Sequence, residues 1–227
     1  MKKLVAVLAL GGWVFGAFGA DPITWHVARE TGDDVAAAAD PTGATPFQSI
    51  QAAVNKASSG DTILVGPGVY DNVTGTDTKN STNRVWITGK TLTIRSTAGA
   101  AKTHIVGRWA TGEATTNGCG AAQIRCVCVN SDSLGTVIEG FTLRDGATRL
   151  DRTATGSLNE DIPQLGGGLA VYSFKKEVYL VDCVISNCTA CWGGAMRGGT
   201  GVRCLITRNT AYSSVGGARQ ANLYSCV

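Results

Sequence analysis

The spacing of apolar positions changes character along the chain. Leu4–Phe15 is a nearly unbroken apolar run behind Met1, Lys2 and Lys3. Residues 20–44 are polar and rich in Gly and Ala, with Trp25 and Val27 as isolated apolar points. They predict a first strand followed by a loop that holds Asp33-Asp34. From Phe47 onward, Ile50, Val54 and Ala57 recur at three- and four-residue spacing, which places all four on one face of a helix. Thr45 is positioned to cap that helix, Pro46 suits its first turn, Gln48 completes a capping box and Gly60 ends it. Asp61–Val65 then reads as a strand and Gly66-Pro67-Gly68 as a tight turn.

After this point the helical spacing gives way to short β-rich runs. They lie at Val85–Thr88, Leu92–Ile94, His104–Val106, Ile124–Val129, Val137–Leu143, Leu169–Tyr172, Val178–Ile185, Val202–Thr207 and Leu223–Val227. Each has the length of an ordinary strand, and Gly, Asn, Ser and Thr fill the gaps. The later runs repeat. Cys183-Val184-Ile185-Ser186 returns as Cys204-Leu205-Ile206-Thr207 and begins again at Cys226-Val227, in steps of 21 and 22 residues. Phe141-Thr142-Leu143 fits the same frame one copy earlier. Between copies a glycine pair recurs, at Gly166-Gly167, Gly193-Gly194 and Gly216-Gly217.

A repeat this short, with several strands per copy, predicts an all-β solenoid in which each turn stacks on the last. Leucine-rich repeats need a dense Leu pattern that is absent, and propeller blades need about 40 residues or more. Stacking predicts one ladder of Phe141, Cys183, Cys204 and Cys226 and a second of Leu143, Ile185 and Ile206, both pointing inward. Because the chain stops within a repeat, the expected solenoid lacks its C-terminal turns and cap.

Pro46–Tyr70 (PFQSIQAAVNKASSGDTILVGPGVY), Lys90–Gly99 (KTLTIRSTAG), Thr103–Gly107 (THIVG) and Ile138–Gly146 (IEGFTLRDG) resemble pectate-lyase-like right-handed parallel β-helix proteins. The resemblance covers about residues 45–227. The later glycine-rich copies also resemble polymorphic outer-membrane-protein repeats, without the Phe usual in that motif. The resemblance implies a right-handed parallel β-helix over 45–227, with the short early helix capping its N-terminal end. It implies much less about activity.

Composition sharpens the picture in three ways. The 30 Gly argue against a mostly helical protein, and 44% hydrophobic with 16% charged residues argues against a disordered one. The net charge is +3, and removing Lys2 and Lys3 from the 20 basic residues leaves near balance with the 17 acidic ones. No basic stripe is left for nucleic acid. The N-terminal run is too short to span a bilayer, which needs about 20 residues, and Ala17-Phe18-Gly19 supplies a small-x-small cleavage site. Residues 1–19 therefore read as a signal peptide, and the mature chain as secreted or cell-surface, with no membrane span.

Export gives the 8 cysteines an oxidising environment in which disulfides form. Cys188-Thr189-Ala190-Cys191 is a C-x-x-C motif, but it lacks a redox fold's strand–helix context, so the role expected is structural, with no metal site. Cys119 with Cys126 is a candidate loop staple. Cys183, Cys204 and Cys226 are three in one ladder and cannot all pair among themselves.

Relatives of the resembled fold act on acidic polysaccharides, so their catalytic sets are the chemistry to seek. The two histidines, His26 and His104, are not flanked by glycines, there is no Arg-Ile-Lys, and no paired-Asp block stands out. A lyase set, with acidic residues holding Ca²⁺ beside an Arg base, is dispersed in sequence. Asp182 and Arg203 precede equivalent cysteines and are expected outward on adjacent turns. They make either one edge of a glycan-binding groove or a solvated ion pair. Arg144 and Asp145, one turn back, either extend that candidate edge or only decorate a turn. Residues 109–123 and 147–165 interrupt the repeat, and the second loop carries Arg149, Asp151, Arg152, Glu160 and Asp161.

The function expected first is an adhesive or glycan-binding module with no cofactor, whose partner is a polysaccharide or a host or cell-surface glycan. The alternative is a pectate-lyase-like lyase or hydrolase of acidic polysaccharide, with Ca²⁺ as its ion. The residues leave catalysis and oligomeric state open.

Overall fold

In the computed structural model, the residues described are 21–77, 81–112, 118–149, 164–172, 176–213 and 215–227. Residues 1–19, read as a signal peptide, and Asp151, Arg152, Glu160 and Asp161 lie outside them. The structure is mostly strand, with short helices at Asp34–Ala39 and Ile50–Lys56. Neither helix is long and apolar enough to cross a membrane.

Three main sheets carry the fold. The first contains Thr24–Val27, Thr62–Val65, Thr93–Ser96, Val137–Glu139, Tyr179–Val181, Thr200–Val202 and Asn222–Tyr224, stacked in chain order. The second contains Gly68–Tyr70, Thr103–Val106, Thr142–Arg144, Val184–Ser186 and Leu205–Thr207. The third contains Thr82–Ile87, Arg125–Val129, Leu169–Val171, Met196–Arg197 and Ala218–Arg219. All these pairings are parallel; among the described strands Gly75–Thr76 joins its neighbour antiparallel, as does the isolated bridge of Arg108 with Ile124. The chain visits first, second and third sheet in turn and returns to the first one spacing along. Thr189–Ala190 and Thr210–Ala211 form a further small parallel pair on the way.

Register builds the core. Ile63, Ile94, Ile138 and Leu180 are aligned across the first sheet, and Tyr70, Ile105, Leu143, Ile185 and Ile206 across the second. Val85, Val127, Leu169 and Met196 are aligned across the third. These side chains meet in one apolar cluster, with Ile206 at its margin. The expected ladder of Leu143, Ile185 and Ile206 is thus in register. Phe141, Cys183 and Cys204 also point into the cluster, and Cys226 packs against it.

The runs Val137–Leu143, Val178–Ile185 and Val202–Thr207, expected as single strands, are each two strands in different sheets. The break falls at Gly140, Asp182 and Arg203, with φ of 76°, 51° and 52°. One left-handed residue redirects the chain with a single peptide, and the apolar residue after it turns inward. Hydropathy sees no gap there because the corner costs no polar segment. Asp145, Asn187 and Arg208 make the equivalent bend after the second sheet.

The helical region also departs from expectation. Asp33-Asp34 is not loop: Asp33 caps the first helix by accepting from the N–H groups of Val35 and Ala36. The second helix starts at Ile50 with Ser49 as its cap, not at Thr45. Phe47 is extended and pairs with Val27, because its N–H donates to the His26 carbonyl. Asp34 accepts from the N–H groups of Gln48 and Ser49, which holds the helix start in place. Ile50, Ala53 and Val54 are buried, and Gln51 both accepts from the Trp86 N–H and donates to the Trp86 carbonyl. The helix therefore satisfies edge backbone as well as covering apolar surface. Lys90 donates to the carbonyls of Val54, Asn55 and Ala57, closing its C-terminal end.

All eight cysteines are free thiols. Cys119 and Cys126 do not form the expected staple, because they face different neighbours. The Cys119 thiol neighbours that of Cys191, and the Cys126 thiol that of Cys188.

Candidate functional site

The structure separates the four sequence candidates into two places. Asp182 and Arg203 occupy the corner between first and second sheets. Arg203 Nε and Nη2 reach Asp182 Oδ1 and Oδ2 at 2.7 and 2.6 Å, and both side chains are exposed. Hydrogen bonding to Arg203 holds the Asp182 carboxyl below its usual range, and the same contact raises the proton affinity of Arg203. Each charged head is thus committed to the other.

Arg144 and Asp145 lie on the opposite side of the second sheet and have richer surroundings. Arg144 pairs with Asp145, and its Nε donates to His104 Nδ1 at 3.2 Å. A guanidinium can only donate, so Nδ1 is the acceptor and the ring proton sits on Nε2, facing the Ala101 carbonyl at 3.3 Å. Asp145 Oδ1 accepts from Asn187 Nδ2 at 2.7 Å. The Asn187 carbonyl in turn accepts from Trp109 Nε1 at 3.0 Å. His104, Arg144, Asp145, Asn187 and Trp109 therefore form one continuous polar chain ending at an exposed indole. Trp109 keeps 38% of its surface in solvent. Its ring lies flat on Gly118, where a Cβ would come within 2.8 Å of it.

Neither His104 nor Trp109 stood out in sequence. His104 aligns with Thr142 on the neighbouring strand, and that register could be read only once the strands were placed. Trp109 meets a residue 78 positions away through a loop that breaks the repeat.

A third cluster is buried. Arg125 is 1% exposed, and its guanidinium donates to Asn83 Oδ1 at 2.7 Å and to the carbonyls of Leu165 and Gly166. Asp77 lies 3.5 Å away and also accepts from the Tyr172 hydroxyl. Burial drives the Tyr172 proton affinity far up, so this phenol stays neutral. The signal was legible: Arg125 is the one charge in the apolar run Ile124–Val129. Through Asn83 and the carbonyls of Leu165 and Gly166, Arg125 ties the residues leading into Leu169–Val171 to the strand Thr82–Ile87.

Among the described residues, no three His, Cys, Asp or Glu side chains converge as metal ligands would. Of the charged loop set, Arg149 alone is described, and it is exposed. Compared with known proteins, the chain matches no family model, no curated protein and no solved structure.

Proposed function

We propose that the chain is an exported right-handed parallel β-helix, related to the pectate-lyase-like folds its sequence resembles, and that it works as an adhesive or glycan-binding module at the cell surface. The cyclic visiting of three parallel sheets supports the solenoid, and parallel crossovers are almost always right-handed. The observation that carries the binding reading is the exposed Trp109 indole at the end of the Arg144–Asp145–Asn187 chain. An aromatic face offers apolar area to the C–H side of a sugar ring, and fixed planar polar groups beside it engage hydroxyls or a uronate. The polar chain pre-orders these groups, which lowers the entropic cost of binding.

The lyase alternative fits less well. Its base would have to be an arginine that gives up its proton, and Asp182 makes Arg203 a weaker candidate for that. Calcium enters only with that alternative.

Affinity electrophoresis in gels containing polygalacturonate, alginate or neutral glycans tests the proposal. Retardation in at least one gel is expected, with Trp109→Ala and Asp145→Asn weakening it tenfold or more at unchanged melting temperature. Asp182→Asn should leave it intact. Lack of retardation in every gel would overturn the binding reading. Release of unsaturated sugar ends, abolished by Arg203→Lys, would favour the lyase.

A further inference from the structure

The inward cysteine ladder at the first corner has a chemistry of its own. Cys183 and Cys204 each precede residues paired in register, Val184 with Leu205, and the Leu205 N–H donates to the Cys183 carbonyl at 3.0 Å. Their backbones are therefore one strand spacing apart, about 4.8 Å, inside the Cα separation of roughly 4.4–6.8 Å that a disulfide spans. Both side chains are almost fully buried, at 1% and 2% exposure. Their sulfurs take matching positions: Cys183 Sγ donates to the Val181 carbonyl at 3.3 Å and Cys204 Sγ to the Val202 carbonyl at 3.5 Å. The two sulfurs lie side by side, and their interaction raises the proton affinity of Cys183 and lowers that of Cys204.

Other thiol neighbours fit a bond less well. Cys126 and Cys188 touch, but Cys126 lies in Arg125–Val129 of the third sheet and Cys188 follows Val184–Ser186 of the second, so no strand pairing brings their backbones side by side. Cys119 and Cys191 are likewise not joined by any strand pairing among the described residues. Cys226 is the remaining neighbour of Cys204, whose N–H donates to Cys226 Sγ at 3.4 Å. Pairing Cys204 with Cys226 would strand Cys183, whose inner neighbour is Phe141, as a thiol inside the core. Pairing it with Cys183 leaves over the one cysteine that is not buried.

We infer that Cys183 and Cys204 form a disulfide when the chain folds under oxidising conditions, and that Cys226 stays a free, chemically addressable thiol. The oxidant required is a low-molecular-weight disulfide such as glutathione disulfide. One thiolate attacks it and releases one glutathione thiol. The second cysteine then attacks the mixed disulfide and releases the other, so that two protein thiols and one glutathione disulfide give one protein disulfide and two glutathione thiols. Burial after folding means the bond forms as these strands dock. The inference stands independently of the glycan-binding proposal.

The test is to refold the full chain from its reduced, denatured state in a glutathione redox buffer, alkylate, and map the peptides by mass spectrometry without reduction. The expected result is a Cys183–Cys204 cross-link with Cys226 alkylated. The oxidised protein should melt at a higher temperature, and dithiothreitol should reverse the shift. Cys226→Ser should retain both link and shift. A Cys204–Cys226 link, or alkylation of all three cysteines in the folded monomer, would overturn the inference.

Discussion

Arg125 is a charge withdrawn from water and held by carbonyls, an amide and a carboxylate. Removing a buried guanidinium leaves its partners unsatisfied, which costs far more than the pair itself contributes. Arg125→Met should therefore destabilise the protein by about 3–5 kcal/mol, read as a lower urea midpoint at unchanged slope. Carboxylates on the surface act in the opposite direction on acidification. Asp40 is held well below the usual carboxylate range, first by the Thr42 hydroxyl and then by the N–H groups of Thr42 and Thr45. Asp132 is also lowered: burial pulls its affinity up, but donors from Gly89, Ser133, Thr88 and Asn130 outweigh it. A folded-state value below the unfolded one, about 3.9, gives stability that is present above that pH and lost as pH falls through the folded value. Melting temperature should stay level from neutral pH to about 5 and fall below about 4, and Asp40→Asn should blunt the fall. A melting temperature that rises on acidification would contradict this assignment.

At the scale of elements, the recurrent glycines have two jobs. Gly166 and Gly193 take left-handed φ of 58° and 67°. Gly146 and Gly194 are conformationally ordinary but crowded: a Cβ at Gly146 would sit 2.1 Å from the Gly167 carbonyl oxygen. Gly217 has nothing within 4 Å of that position. Gly146→Ala should cost roughly 1–3 kcal/mol or more through overpacking, while Gly217→Ala should be near neutral in the same denaturant titration. Equal effects at the two positions would show that backbone freedom, not space, sets the requirement. The repeat itself, the glycine pairs and the inward Leu143–Ile185–Ile206 row were readable because stacking imposes one spacing on every copy. The corners were not, because Asp182 and Arg203 are residues whose left-handed conformation no pattern of hydrophobicity records. The helix start was misplaced for a different reason. Thr45-Pro46 has good capping chemistry, but pairing Phe47 with Val27 and the long-range bond from Asp34 move the first turn to Ile50. The half of the candidate site near Arg144 and Asp145 was legible from the frame, whereas Trp109 depended on a loop contact outside it.

For the whole molecule, the two ends of the sheets are unequal. At one end the Ile50–Lys56 helix covers apolar surface and bonds to strand backbone. At the other, Asn222–Tyr224, Leu205–Thr207 and Ala218–Arg219 are the last members of their sheets, and Leu205, Leu223 and Tyr224 are exposed. Exposed strand edges with apolar neighbours pair with other edges. A polypeptide that stops at Val227 should associate as its concentration rises, seen as increasing mass in light scattering, and Leu223→Lys should suppress it. A concentration-independent monomer would show that this edge is less adhesive than its composition implies. The stacking order has one more consequence, a mechanical one. Thr24–Val27 begins the seven-stranded sheet and Asn222–Tyr224 ends it, so tension between the chain's ends pulls along the interstrand hydrogen bonds and not across them. Bonds loaded in that direction yield one row at a time, like a zipper. Stretched, the protein should lengthen in many small, weak steps about one repeat long, a compliant tether and not a brittle one.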